Sequence, residues 1–139
     1  INKEEAALSI SQLTNYINKI GKDRFLEERI DVGLISPYKA QVQYLRQLIK
    51  RDAFFKPYRH LITINTVDGF QGQERDVILI SLVRANEEGQ IGFLNDLRRM
   101  NVAITRARMK LIILGDASTL TKHPFYKKLY EYIYSLQTH

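Results

Sequence analysis

The stretch Val77-Ile78-Leu79-Ile80-Ser81-Leu82-Val83 decides the fold class, because it is apolar at every position except Ser81. A continuous apolar run, as opposed to an alternating one, is typical of a strand that is buried on both faces of a parallel sheet. Three shorter runs of the same kind occupy residues 32–35, 61–64 and 111–114. The sequence therefore predicts four buried strands.

Helical stretches lie before, between and after these predicted strands. Apolar residues recur at the spacing of one helical face in residues 3–20, where Gly21 marks the end, and in residues 38–51. Residues 94–107 and 124–136 also have helical patterns. Because helices alternate with buried strands, we predict an α/β domain of three layers, in which helices cover both faces of a mainly parallel sheet.

The composition is that of one soluble folded domain. The length of 139 residues suits a single domain, and 45% of the residues are hydrophobic while 26% are charged. No apolar run approaches the roughly 20 residues that a membrane span needs, and the first residues do not form the apolar core of a signal peptide. We therefore expect an intracellular protein, cytoplasmic or nuclear, with no membrane partner.

Residues that bind metals are sparse. Cysteine is absent, which excludes disulfides and thiolate metal sites. The histidines, which are His60, His123 and His139, are scattered, and no two of them have the spacing of metal ligands. We expect no metal to be held by this chain alone.

The chain is basic, with a formal net charge of +6 and a pI of about 9.6. A basic domain attracts polyanions over a long range. On charge alone, a nucleic-acid partner is only slightly favoured over a surface whose charges keep the protein soluble.

Ligands of parallel α/β sheets bind beyond the carboxyl ends of the strands. Three polar segments follow such ends, namely residues 36–41, residues 65–76 and the residues from Arg84 onward. In the first segment Pro37 ends the strand, Tyr38 can stack on a base, and Gln41 can hydrogen-bond a nucleotide or hold the backbone. A tyrosine that opens a helix is more often part of the core or its rim, and that alternative stays open.

The segment 66–76 is the densest in glycine and polar residues. Gly69 and Gly72 permit a tight turn and a close approach of the backbone to a ligand. Glu74 and Asp76 lie just before a predicted buried strand, where they can accept hydrogen bonds from hydroxyls or hold a neighbouring arginine. A glycine-containing loop with solvated charges explains these residues equally well.

The segment 95–108 is rich in arginine. On a helix, Arg99, Val102 and Arg106 share one face. Arginines held by an apolar helix suit phosphate, because the guanidinium group binds oxygens bidentately and stays charged. The alternative is a basic helix face that pairs with Asp96 or with other carboxylates.

Three blocks follow one another along the chain. They are Pro37-Tyr38-x-x-Gln41, then Val67-Asp68-x-Phe70-Gln71-Gly72-x-Glu74-x-Asp76 with Ser81-x-Val83-Arg84, and then Gly92-Phe93-Leu94-Asn95-Asp96-x-Arg98-Arg99-x-Asn101-Val102-Ala103-x-Thr105-Arg106-Ala107-Arg108. Together they resemble the second RecA-like domain of superfamily 1B helicases, and in particular the group of the nonsense-mediated-decay RNA helicase and senataxin. The resemblance covers residues 32–115 and implies a three-layer RecA-like domain.

The resemblance implies that this chain supplies half of an ATP site. Arg106 matches the family's arginine finger, the catalytic residue that neutralises charge developing on the γ-phosphate. Glu74 matches the glutamate that holds the nucleotide ribose, and Gly72 lies where the family brings backbone close to the phosphates. Arg99 and Arg84 are expected to brace this cluster.

Four further residues match positions that line the family's nucleotide and strand sites. Tyr38 and Gln41 match positions near the nucleotide. Ser36 and Thr66 match positions that contact the sugar-phosphate backbone of single-stranded DNA or RNA. Backbone contacts carry little sequence preference, as a motor requires.

The resemblance also implies partners that lie outside the chain. No G-x-x-x-x-G-K-[ST] motif occurs in it, so ATP and Mg²⁺ are expected to be shared with a first RecA-like domain. We expect residues 1–139 to be one second RecA-like domain, cut from a longer helicase and inactive in isolation.

Two alternatives to a helicase motor stay open. One is a degenerate helicase-fold module that binds nucleic acid without turnover, against which the presence of Arg106 and Glu74 argues. The other is an unrelated doubly wound α/β domain, which fits the alternation of helices and strands but not the three blocks.

Overall fold

Four strands form one sheet in the computed structural model, which describes residues 3–36, 38–70, 73–81 and 107–114. They are β1 (Val32–Ile35), β2 (Ile62–Asn65), β3 (Arg75–Ser81) and β4 (Ala107–Leu114). The strand order is β2-β1-β3-β4, and every pairing is parallel. In the ladder Leu34 of β1 lies opposite Ile64 of β2 and Leu79 of β3. The predicted parallel α/β architecture is confirmed.

Among the described residues, three α-helices and two 3-10 helices accompany the sheet. The α-helices are α1 (Lys3–Ile20), α2 (Lys22–Glu27) and α3 (Lys39–Arg51), and the 3-10 helices span Ala53–Leu61 and Val67–Phe70. One side of α1 is buried at positions three or four residues apart, which are Ala6, Ser9, Leu13 and Ile17. This spacing is the helical face that the sequence predicts. No helix within the described ranges is both long and apolar enough to cross a membrane.

Both faces of the central strands are buried. Side chains alternate between the faces of a strand, and one set joins α1 and α3 in the main core, namely Val32, Leu34, Val77 and Leu79. The alternate set lies on the opposite face and is also buried, namely Ile35, Ile78 and Ile80. Burial on both sides explains why β1 and residues 77–80 of β3 are continuously apolar.

Strand β2 is an edge of the sheet, and a side chain covers its outer side. The carbonyl of Asn65 accepts a hydrogen bond from the backbone N–H of Ser36 at 3.3 Å, so it faces β1. The preceding carbonyl, of Ile64, therefore faces outward. Arg46 of α3 donates to it from Nε at 3.0 Å and from Nη2 at 2.8 Å. The outer carbonyl of the edge strand is thus already hydrogen-bonded.

Most predicted elements are confirmed with small changes of boundary. Helix α1 and strand β1 have the predicted bounds, and Gly21 ends α1. Helix α3 begins one residue later than predicted, because Tyr38 has an extended backbone and precedes the helix. Strand β2 lies one residue later, and β3 begins two residues earlier, at Arg75.

The prediction that Ala107 ends a helix is wrong. Ala107 is the first residue of β4 and lies opposite Arg75 of β3. Alanine favours helices, but ladder pairing with a neighbouring strand overrides so weak a preference. The predicted strand 111–114 is the second half of β4. Its first half was missed because apolar and basic residues alternate there and most of them are exposed.

Some observed elements were not predicted, and some predicted elements lie outside the residues that the structure describes. Helix α2 and the 3-10 helix Ala53–Leu61 are additional to the predicted elements. The predicted helix at 124–136, residues 94–106 of the predicted helix before β4, and residues 82–83 lie outside the described residues.

Candidate functional site

The predicted strand-binding residues lie together at the carboxyl ends of β1 and β2. Ser36 follows β1 and Thr66 follows β2, and the Ser36 N–H donates to the carbonyl of Asn65, the neighbour of Thr66. Ser36 is buried, and its Oγ accepts a hydrogen bond from the Tyr38 N–H at 3.4 Å. Thr66 is half-buried. The sheet therefore brings both residues to the carboxyl ends of two neighbouring strands, a place that we call the carboxyl edge. Thr66 is the more exposed of the two.

Tyr38 and Gln41 flank the beginning of α3. Tyr38 is half-buried, and its carbonyl accepts the first helical hydrogen bond, from Val42 N–H at 3.0 Å. Gln41 is 1% exposed. Of the two roles stated for Gln41, this burial favours holding the backbone over contacting a nucleotide.

Residues 65–75, which we call the motif loop, begin with a turn that only glycine permits. The Asn65 Oδ1 accepts a hydrogen bond from the Thr66 N–H at 2.8 Å, and the Thr66 carbonyl accepts one from the Gly69 N–H at 3.0 Å. A Cβ atom at Gly69 would lie 2.8 Å from the Cβ of Asn65 and collide with its amide group. Glycine at this position therefore lets the turn close against Asn65.

The middle of the motif loop is anchored to β1 by Phe70. This side chain is 3% exposed, and a Cβ atom at Gly33 would lie 2.9 Å from its Cε1. The guanidinium carbon of Arg75 lies 5.5 Å from the centroid of the Phe70 ring, which is a cation–π contact. The missing side chain at Gly33 thus makes room for the ring, and Arg75 covers it.

The end of the motif loop is held by the same arginine. Arg75 Nη2 donates to Gln73 Oε1 at 2.7 Å, and Nη1 donates to the Glu74 carbonyl at 2.9 Å. Gln73 N–H also donates to the Phe70 carbonyl at 3.0 Å. The described parts of the loop are therefore fixed at both ends before any ligand binds.

A cluster of three carboxylates around Arg108 lies at the other end of the sheet, where β3 and β4 begin. Arg108 contacts Asp76 from Nε at 2.9 Å, Asp31 from Nη2 at 3.3 Å and Glu74 from Nη1 at 3.6 Å. We call these four residues the Arg108 cluster. It confirms the interpretation that Glu74 and Asp76 can hold a neighbouring arginine.

Asp31 and Asp76 are fixed by the backbone as well as by Arg108. Asp76 N–H donates to Asp31 Oδ1 at 2.6 Å, and Asp31 N–H donates to Asp76 Oδ2 at 3.1 Å. The two carboxylates therefore tie the beginnings of β1 and β3 together. The hydrogen bond to Asp76 is the largest effect that raises the pKa of Arg108, and the carboxylate charges add to it.

A bulge in β4 directs Arg108 into this cluster. Arg75 pairs with Ala107 whereas Val77 pairs with Lys110, so β4 has one residue more than β3 in this interval. An extra residue of this kind bends a strand and redirects its side chains. Arg108 lies within the bulge.

No group of three or more His, Cys, Asp or Glu side chains in the described ranges is arranged to hold a metal ion. Glu74 is 53% exposed as a side chain and is the most accessible carboxylate of the Arg108 cluster. It can accept hydrogen bonds from a ligand while Arg108 holds it from the other side.

The structure thus divides the predicted site residues between the two ends of the sheet. Ser36 and Thr66 lie at the carboxyl ends of the strands, and Glu74 lies before the amino end of β3. The remaining predicted residues, which are Gly72, Arg84, Arg99 and Arg106, lie outside the described residues. The contribution of Asp31 was missed, although an acidic residue directly before a buried strand, as at Asp76, was an available signal.

Comparisons with known proteins show which family the chain resembles. Residues 1–118 match the model of a family described as an AAA domain. The chain is 47% identical over 106 residues, 76% of its length, to "Probable helicase MAGATAMA 3" of Arabidopsis thaliana. It is 41% identical over 119 residues, 86% of its length, to "Helicase sen1" of Schizosaccharomyces pombe. It is 38% identical over 131 residues, 93% of its length, to "Regulator of nonsense transcripts 1 homolog" of Neurospora crassa.

The chain spans only a small part of each of these relatives. It covers 13%, 7% and 11% of their respective lengths. Each likeness therefore concerns one segment of a much longer protein.

Proposed function

Because this chain belongs to the superfamily 1B helicases, in the group of the nonsense-mediated-decay helicase and senataxin, we propose that it is the second RecA-like motor domain of an ATP-dependent helicase. The observation that carries the proposal is the anchored motif loop, which runs from Thr66 at the carboxyl edge to Glu74 beside Arg108. The described ends of this loop thereby support both the proposed strand-binding residue Thr66 and the proposed nucleotide-binding carboxylate of Glu74.

The nucleotide half of the proposal assigns roles to three residues. Arg106 neutralises the charge that develops on the γ-phosphate, Gly72 lets the backbone approach the phosphates, and Glu74 accepts hydrogen bonds from the ribose hydroxyls. The exposure of Glu74 and the length of its contact to Arg108 support this role, because its oxygens retain acceptor capacity. Mg²⁺ and most of the triphosphate would be held by the first RecA-like domain.

The nucleic-acid half of the proposal rests on the carboxyl edge of the sheet. Thr66, which is half-buried, offers a hydroxyl there, while the buried Ser36 shapes the exit from β1. Tyr38 directly precedes the neighbouring helix α3, and Gln41 lies in the first turn of that helix. The substrate would be single-stranded DNA or RNA, contacted through its sugar-phosphate backbone.

We expect ATP hydrolysis to require more than this chain. The full-length protein should hydrolyse ATP when Mg²⁺ and a single strand are present, whereas the isolated 139-residue chain should not, because it lacks a P-loop. Phosphate release by both proteins, with and without an oligonucleotide, measures this difference. Mg²⁺-dependent ATP hydrolysis by the isolated chain would contradict the claim that it supplies only half of the ATP site. A full-length protein that does not hydrolyse ATP would favour the alternative, a module that binds nucleic acid without turnover.

The isolated chain is also expected to bind single strands weakly and in a salt-dependent manner. Lysines and arginines that meet phosphates release counterions, so the logarithm of the binding constant should fall linearly with the logarithm of salt concentration. Thr66→Val removes one hydroxyl and should weaken binding by about two- to tenfold, the equivalent of one neutral hydrogen bond. Fluorescence anisotropy with a labelled oligonucleotide measures both effects.

The matched control for this experiment is Thr14→Val. Thr14 lies on α1, and its hydroxyl hydrogen-bonds the Ile10 carbonyl at 2.8 Å, so it belongs to a helix and not to the carboxyl edge. Its substitution should leave strand affinity unchanged. Equal losses in the two variants, or binding that is insensitive to salt, would speak against a strand site at Thr66.

A further inference from the structure

Arg108 uses each of its three guanidinium nitrogens on a different carboxylate. Two of these contacts, to Asp76 and Asp31, are the shorter ones, and both of those carboxylates also accept backbone N–H groups. The third contact, to Glu74, is longer, at 3.6 Å, and reaches the most exposed carboxylate. Arg108 is therefore anchored by two carboxylates that the backbone also holds, and it extends its remaining nitrogen toward a more exposed carboxylate.

We propose that Arg108 is a positioning residue that holds the Glu74 carboxylate in place for the ribose of the nucleotide. This inference rests on the proposed function, in which Glu74 accepts hydrogen bonds from the ribose hydroxyls. An exposed glutamate loses side-chain entropy when it binds a ligand, and a neighbour that already restricts it lowers that cost. The function of the bulge in β4 is then to aim Arg108 at Glu74.

The same contact links two parts of the proposed nucleotide site. Arg108 stands two positions after Arg106 in the chain, and Glu74 stands at the end of the motif loop. Because Arg108 also contacts Asp31 and Asp76, the beginning of β4 is tied to the beginnings of β1 and β3. Ribose binding at Glu74 is thereby coupled to the strand that directly follows the arginine finger.

A lysine cannot fully replace Arg108 in this geometry. Its ammonium group is a point charge and cannot direct separate donors to three carboxylates, whereas the planar guanidinium group does so. Arg108→Lys should therefore retain part of the positioning, and Arg108→Gln should lose it.

The test uses the full-length protein and compares ATP with 2′,3′-dideoxy-ATP, which lacks both ribose hydroxyls. The wild-type protein should prefer ATP in kcat/KM by about tenfold or more, the magnitude of a hydrogen bond to a charged group. Glu74→Gln should reduce this preference. Arg108→Gln should reduce it similarly, mainly through KM, and Arg108→Lys should give an intermediate value. The double variant Glu74→Gln/Arg108→Gln should be no worse than Glu74→Gln, because Arg108 acts through Glu74.

Controls separate positioning from folding and from the proposed function itself. Arg24→Gln, which removes an exposed ion pair between α2 and Glu28 directly after that helix, should keep the full preference for ATP. A normal preference in an Arg108→Gln protein with an unchanged thermal midpoint would overturn the inference alone. If Arg108→Gln does not fold, Arg108→Lys decides, since a wild-type preference there also counts against positioning. A wild-type protein without preference would overturn the ribose role of Glu74 and the inference with it.

Discussion

Replacing Arg106 with alanine in the full-length protein is expected to lower kcat for strand-stimulated ATP hydrolysis by on the order of 10³-fold, the effect of losing an arginine finger. The affinity for ATP should change much less, because the charge that Arg106 meets grows as the γ-phosphoryl group is transferred. Steady-state kinetics together with equilibrium binding of a non-hydrolysable ATP analogue measures the two quantities separately.

Lysine at position 106 should rescue little of this activity. It retains the positive charge but lacks the planar group that contacts phosphate oxygens bidentately. Arg24→Ala is the matched control, because Arg24 is an exposed arginine whose described partner is Glu28 four residues away. A normal kcat in Arg106→Ala would refute the assignment of the arginine finger and direct attention to Arg99.

The second large effect is expected at Phe70, and it concerns stability. Phe70→Ala removes a ring that lies on Gly33 and beneath Arg75, so it should lower the free energy of unfolding by about 3 kcal/mol or more. Such a loss is a large part of the roughly 5–15 kcal/mol that stabilises a typical domain. Chemical denaturation of the 139-residue chain, followed by circular dichroism, measures it.

Hydrogen exchange tells whether this loss is centred on the motif loop. The amides of Gly69 and Gln73, which are hydrogen-bonded within the loop, should lose protection in Phe70→Ala. The control is Phe54→Ala, because Phe54 is half-buried against Phe55 and Tyr58. It should cost less stability and leave loop protection unchanged. A Phe70→Ala chain as stable as the wild type would show that the ring does not anchor the loop.

The sequence predicts the buried half of this fold better than the exposed half. The bounds of strand β1 were predicted correctly because Val32–Ile35 is buried on both faces of the sheet. A strand in that environment is apolar at every position, and this pattern is visible in the sequence. Strand β4 was found only in part, since Arg108 and Met109 at its beginning are exposed and resemble a loop or helix end. The 3-10 helix Ala53–Leu61 was missed although it buries every third residue, Phe55, Tyr58 and Leu61, because Pro57 inside it argues against a helix.

The candidate site was predictable in its residue types but not in its pairings. Acidic residues before a strand suggested that Glu74 and Asp76 hold an arginine, and they do. The identity of that arginine depends on the register between β3 and β4, including a bulge. Asp31 and Arg108 are 77 positions apart in the chain, so no local pattern could pair them. The roles assigned to Thr66, Glu74 and Arg106 remain predictions.

The contact between Arg46 and the carbonyl of Ile64 also bears on how the protein behaves at high concentration. An open sheet edge offers unpaired N–H and C=O groups on which a strand from another molecule can assemble. At β2 the outer carbonyl of Ile64 is already occupied by two guanidinium donors, and the group that occupies it is charged. An incoming strand would have to displace Arg46 and accept a positive charge beside its own backbone. The side chain that completes the packing of α3 on the edge thereby also protects the protein against edge-to-edge aggregation.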